Sequence, residues 1–352
     1  MTQTTTGTMQ AAVYNGEGHL LVESISVPEP RAGEVLIAVS HCGICGTDLH
    51  LVLEKYARRG AVLGHEWAGT IAALGEGVEG WRVGQRVVAG PTPACGECRS
   101  CRRNRPSVCR RREEPDYLGF SGAYCEYKTV LAARLIELPE SLSTRAAALT
   151  EPTAIAIHTV GLADVELDDR VLITGGGPVG LLTTAVLRQR GITDITVSEP
   201  SPVRRERALT VGARAVVEPG DLPRAPVGRA QPGTYDVAFE CSGNAKAAEA
   251  AIDQLDYAGT LVFVGTGHDS PRVNHNRAIV LELTIIGAYN YDADGFAPAV
   301  ALLASGDLPL DELIERDDIA LDALDGTLRR LAAGELPGKV MVRPRTEAQE
   351  AR

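Results

Sequence analysis

Residues Gly175-Gly176-Gly177-Pro178-Val179-Gly180 spell G-x-G-x-x-G between a short β-prone apolar run (171–174) and a helical stretch (181–190) that Gly191 ends. Few short patterns restrict a fold so tightly. Gly175 permits a sharp turn, Gly177 lets the backbone approach a pyrophosphate, and Gly180 allows a helix to lie close on its strand. Pro178 and Val179 complete the turn, and the helix N-terminus offers its positive dipole end to phosphate. The pattern continues with strand-like runs at 195–198, 215–217, 236–239, 260–264 and 283–286, between which lie helical stretches at 203–211 and 245–256. Alternation of this kind predicts βαβ units and a parallel sheet that binds a dinucleotide. Glu199 stands 24 residues after Gly175, at the end of the second strand. A carboxylate there accepts hydrogen bonds from ribose hydroxyls and repels a 2′-phosphate, which favours NAD over NADP. Arg204 and Arg205 are close by; they either hold a 2′-phosphate or line a solvated helix face.

The chain outside this region reads differently. Short strands at 11–14, 20–26 and 35–40 are broken by Gly, Pro and acidic residues, and the tail carries a helical 296–304 and a strand-like 340–342. The tail lacks the alternation for a third domain and is expected to return to the first. With 352 residues the chain suits two cores. A net charge of -11 repels nucleic acid and anionic membranes, so neither is expected as a partner. The polar, Thr-rich start and the lack of any apolar run of about 18 residues predict a cytoplasmic protein. In that compartment eight cysteines, six of them in two tight groups, point to metal rather than to disulfides.

Cys95, Cys98, Cys101 and Cys109 form C-x2-C-x2-C-x7-C in a segment with no apolar periodicity. Four thiolates fill a tetrahedral zinc and leave no position for substrate, so this zinc is structural. Arg99, Arg102 and Arg103 are expected to offset its charge; two disulfides or an iron–sulfur cluster are the alternatives. A second group is mixed: Cys42-Gly43-Ile44-Cys45-Gly46-Thr47-Asp48-Leu49-His50, then Gly64-His65-Glu66, then Glu151-Pro152. Sulfur, nitrogen and oxygen donors from separate loops suit a site with an open coordination position, as catalysis requires.

In this order, G-I-C-G-T-D-L-H, G-H-E, the four-cysteine loop and the Gly-rich turn resemble the zinc-containing medium-chain dehydrogenases/reductases over nearly the whole chain. The likeness is nearest to the polyol and threonine dehydrogenase branch, since Glu66 follows His65 and Glu151 stands where some relatives use cysteine. It implies a GroES-like β-rich catalytic domain (1–157 and 290–352) and a Rossmann doubly wound α/β domain (158–289). It implies Cys45, His65 and Glu66 as ligands of a catalytic zinc, with Glu151 a further candidate, and Cys42 outside the ligand set. Thr47 and His50 become the proton exit, and Cys241, Gly265 and Gly287 weaker contacts of the cofactor. The pocket is expected to draw on residues 51–61, 117–120 and 289–296, and a homodimer or homotetramer is expected.

The chemistry so implied moves a hydride between a secondary alcohol (polyol, cyclitol or amino sugar) and NAD, with zinc lowering the pKa of the bound hydroxyl. A redox-neutral isomerase or epimerase with tightly held NAD, and a non-catalytic zinc-binding relative, are the competing readings.

Overall fold

The computed structural model describes residues 7–111, 121–223, 234–292 and 295–345; the expected pocket segment 117–120 lies outside them. The chain divides into two compact units, one made of Met1–Glu151, Asp292–Asp307 and Ile314–Arg352, the other of Pro152–Tyr291 and Leu308–Leu313.

In the first unit, strands β1 (Thr8–Tyr14) and β2 (Leu20–Ser26) form an antiparallel hairpin in register Thr8↔Ser26 to Tyr14↔Leu20. A larger antiparallel sheet follows: β3 (Glu34–Gly43), β4 (Glu66–Leu74), β5 (Arg86–Ala89), β6 (Tyr127–Leu131), β7 (Leu135–Glu137) and β14 (Met341–Val342). Its order is β14-β3-β4-β5-β7, with β6 also on β3. The long β3 is buried nearly throughout, because neighbours cover it on both edges and Val35, Ile37 and Val39 enter the core. Short helices α1 (Gly46–Leu53), α2 (Arg99–Arg102), α3 (Thr144–Ala147) and α9 (Phe296–Ala304) join the strands. The last helix, α11 (Leu324–Ala332), buries Leu324 and Leu328, one turn apart, in the same core.

Helix α4 (Thr150–Ala163) leads into the second unit. Its sheet contains β8 (Val171–Thr174), β9 (Ile195–Ser198), β10 (Ala215–Val217), β11 (Tyr235–Glu240), β12 (Leu255–Phe263) and β13 (Thr284–Gly287). The strands are all parallel, in the order β10-β9-β8-β11-β12-β13. The chain winds outward from β8 in one direction and from β11 in the other, so the loops after these two strands part and open a crevice at the sheet's carboxyl edge. At the opposite edge the Arg170 guanidinium donates to Asp236 at 2.7 and 2.9 Å and to Asp256 at 2.9 Å.

Several element boundaries differ from the expectation, and two helix ends show why. Helix α5 (Pro178–Gln189) begins at Pro178 rather than 181, since proline has no N–H to lose in a first turn. Helix α7 (Ala245–Gln254) stops before residues 255–256, which already belong to β12. The buried Arg277 of α8 (His275–Val280) ends it, taking the carbonyls of Ile252, Asp253 and Leu255 at 2.8–3.0 Å. The segment around α10 (Leu310–Leu313) joins the second unit because it packs on α5 and on α6 (Pro202–Val211).

Candidate active site

Strand β3 ends at Gly43, Ile44 is buried, and Cys45 caps the N-terminus of α1. From the neighbouring loop, Gly64 turns with φ +93°, where a Cβ would come within 2.8 Å of the Tyr124 ring. His65 and Glu66 follow at the head of β4. A Cβ on Gly43 would lie 2.3 Å from the Glu66 carboxylate, so this glycine makes room for it. The result is one sulfur, one imidazole nitrogen and one carboxylate oxygen, from Cys45, His65 and Glu66, all within 4.8 Å of one another. Glu151, in the first turn of α4, is not part of that triad.

Two residues without an assigned role in the sequence surround it. Asp48, fully buried on α1, accepts from the Cys45 N–H (3.1 Å) and the Tyr124 hydroxyl (2.6 Å), and lies 3.7 Å from His65 Nδ1. A carboxylate so placed fixes the orientation of a ligating imidazole. Lys339, from the tail, puts Nζ 2.6 Å from the Glu66 carboxylate and 2.9 Å from the Ile44 carbonyl. In the sequence Asp48 was visible as part of a motif, whereas Lys339 carries no local signal.

The electrostatics fit a cation. Burial and the nearby Glu66 charge push the Cys45 thiol up to about 12. Burial likewise raises the Glu151 carboxyl to about 8, against the pull of His65. Burial lowers His65 and Lys339, but the charges of Asp48, Glu151 and Glu66 together outweigh it for the first, and those of Glu66, Cys45 and Glu151 for the second, so both end above their ordinary values. Each of these groups holds its proton more tightly in the absence of a metal, and the donor set of thiolate, imidazole and carboxylate suits zinc.

In the four-cysteine loop, sulfurs lie 3.5 Å (Cys98–Cys101), 3.6 Å (Cys95–Cys109) and 3.9 Å (Cys95–Cys101) apart. Tetrahedral zinc with Zn–S of about 2.3 Å requires about 3.8 Å, while a disulfide needs about 2.05 Å. The residues therefore fit a closed zinc site. Backbone N–H groups, those of Cys101 and Arg110 first, draw the Cys98 thiol down to about 6, and those of Cys95 and Arg111 lower Cys109. Cys42 is buried with its Sγ facing the Gly43 carbonyl at 3.7 Å, a packing role.

Thr47 is half-buried in the first turn of α1. His50 lies further along the helix, its Nδ1 2.7 Å from Glu54 Oε1.

In the second unit, Gly175 turns with φ +99° and its missing Cβ is required by Ser242, 2.9 Å away. A Cβ on Gly180 would meet the Gly175 carbonyl at 1.9 Å. Pro178 and Val179 open α5. Glu199, 3% exposed, accepts from the Gly176 N–H (2.7 Å) and the Ser201 N–H (2.9 Å), and Arg204 stands 4.0 Å from it. The carboxylate thus braces the turn. Cys241 follows β11 with its thiol raised by burial. Gly265 packs on Gly243, where a Cβ would meet backbone nitrogen at 2.2 Å. Gly287 closes the edge strand β13, with open space around its Cα. Glu240, buried at the end of β11 and unassigned in the sequence, accepts from the backbone of Ser242 and Gly243 at 2.8 and 3.2 Å.

Residues 31–140 match the family described as Alcohol dehydrogenase GroES-like domain, and residues 178–305 that described as Zinc-binding dehydrogenase. The chain is 34% identical to 2-dehydro-3-deoxy-L-galactonate 5-dehydrogenase of Pseudoalteromonas atlantica, over 87% of its own length and 90% of the relative's. To L-threonine 3-dehydrogenase of Pyrococcus horikoshii it is 35% identical, over 93% and 95%. Among solved structures, a zinc-binding dehydrogenase from Sinorhizobium meliloti bound to NADP superposes with a TM-score of 0.84 at 29% identity, over 96% of this chain and 100% of that one. Fold, candidate metal ligands and relatives agree: the chain belongs to the zinc-binding, GroES-like medium-chain alcohol dehydrogenases.

Proposed function

We propose that this protein oxidises a secondary alcohol of polyol or hydroxy-acid type, reversibly, with NAD as hydride acceptor. The observation that carries the reading is the convergence of Cys45, His65 and Glu66 donor atoms within 4.8 Å. Zinc held there supplies Lewis acidity, which favours loss of the substrate's hydroxyl proton. The chain's own residues supply the rest. Asp48 orients His65 and the Cys45 turn, and Lys339 engages Glu66. The Thr47 hydroxyl receives the proton, and His50 delivers it to solvent. Glu54, 2.7 Å from Nδ1, holds the His50 ring in place. Glu151 is the alternative carboxylate for the metal.

Glu199 supports NAD. The Sinorhizobium relative was solved with NADP, so the family alone does not choose, whereas a buried carboxylate at the end of β9 opposes a 2′-phosphate. The named relatives act on a sugar acid and on threonine, which supports a substrate with a second polar group. A homo-oligomer belongs to the same reading: β13 is the outer strand of its sheet, and Ile279, Val280 and Ile285 are exposed beside it. Among the described residues no helix is long and apolar enough to cross a membrane. The test is NADH absorbance with zinc-loaded protein, NAD and a panel of polyols, sugar acids and hydroxy amino acids. Silence across the panel refutes the reading.

A further inference from the structure

Lys339 is the one lysine whose ammonium is buried against the candidate metal site. Only 3% of the residue is exposed, and Glu66 beside it is 1% exposed. Burying an ammonium is costly unless strong partners replace water, and this one has two. The Glu66 carboxylate lies at 2.6 Å, and the carbonyl of Ile44, next to Cys45 in the chain, at 2.9 Å. A single donor group therefore grips both the carboxylate of the triad and the backbone that sets the thiolate.

The surrounding chain fixes the lysine in turn. Strand β14 pairs with β3 through Met341↔Gly43 and Val342↔Cys42, and the Ile44 N–H donates to the Val340 carbonyl at 3.0 Å. Gly43 leaves space for both partners, since a Cβ there would reach the Glu66 carboxylate at 2.3 Å and the Lys339 stem at 3.1 Å. Backbone pairing, a missing side chain and an ion pair all converge on one geometry.

We infer that Lys339 is a positioning residue for the catalytic metal: it holds the Glu66 carboxylate and the Cys45 turn in the arrangement that zinc needs. This rests on the metal-site reading proposed above. With Lys339 in place Glu66 is pinned from outside the triad, and its loss leaves the carboxylate free to turn away. Partners of this outer rank change metal affinity or activity by roughly 10–100-fold when removed.

The experiment substitutes cobalt for zinc in the full-length protein and compares wild type, Lys339→Met, Lys339→Gln and Glu66→Gln. Metal content, the visible cobalt bands and the rate of metal loss to a chelator are measured without substrate. The expected result for Lys339→Met is an altered band for the mixed site and metal loss roughly 10–100-fold more readily there, with the four-cysteine metal retained. Lys339→Gln, which keeps a donor for the Ile44 carbonyl, is expected to show the same selective loss, smaller in extent. In the Glu66→Gln background, Lys339→Met should change retention by less than about twofold, because a residue acting through Glu66 cannot add to its removal. Unchanged bands and retention in either lysine variant, tighter binding, or additive effects overturn the inference. Equal loss of both metals in both lysine variants also overturns it, since that marks a purely structural residue. A wild-type protein that binds only one metal instead refutes the metal-site reading itself.

Discussion

Replacing Glu199 by Gln separates two jobs that one carboxylate performs. Its two oxygens accept from the N–H groups of Gly176 and Ser201, at 2.7 and 2.9 Å, in a site where the residue is 3% exposed. Glutamine offers one acceptor oxygen, so one of these N–H groups faces an NH2 and loses its partner. A buried donor left unmade costs about 1–3 kcal/mol, which lowers the melting temperature by roughly 3–10 °C. The charge does the second job. At a separation of ~5 Å and an effective dielectric of ~20, each unit of phosphate charge beside Glu199 is opposed by about 3 kcal/mol, or more than about 100-fold in preference. Wild type should therefore favour NAD over NADP by at least that factor in kcat/KM, and Glu199→Gln should erode the ratio to about tenfold or less. The assays are thermal unfolding without cofactor and steady-state kinetics with each dinucleotide. A ratio that stays within about threefold of wild type refutes the electrostatic argument. An unchanged melting temperature refutes the brace.

Cys45→Ser should abolish turnover and reduce zinc from two ions to one, with little change in melting temperature, as read by metal analysis and calorimetry. Cys98→Ser should instead lower stability and lose the structural zinc, because a closed site fails when one ligand goes; limited proteolysis near residues 95–109 checks it. Arg170 holds the Asp236 carboxyl below its ordinary value of 3.8. A depressed acid lends stability that is complete above that pH and is lost as the pH falls through the lower, folded value. Arg170→Met should therefore unfold at lower temperature than wild type at pH 5–7, and the two curves should converge as the pH drops below 3.8.

The parallel sheet was legible because its signals are local. Val171–Thr174 and Ile195–Ser198 are fully buried four-residue runs with glycine or acidic residues at their ends, and each coincides with its strand. The end of α7 was not, because a buried guanidinium from α8 terminates it instead of a glycine. In the first unit β4 to β7 escaped notice. Their partners are distant in sequence, and Glu66–Leu74 is covered on both faces at its start, so no clean alternation marks it. At the site, Cys45, His65 and Glu66 stand in short motifs and could be read directly. Lys339 could not, since 273 positions separate it from Glu66 and only the fold brings them together.

Strand β14 has a consequence for how the molecule is made. The β3 edge that it covers, and the carboxylate that Lys339 grips, leave the ribosome long before either partner exists. The parallel-sheet unit, whose strands all lie between Val171 and Gly287, is already synthesised in that interval. Domains tend to fold as their residues emerge, so the nucleotide-binding half should reach its native state while the other waits with an open seam. Metal capture at Cys45, His65 and Glu66 then becomes a late event in the protein's birth, timed by arrival of the final strand.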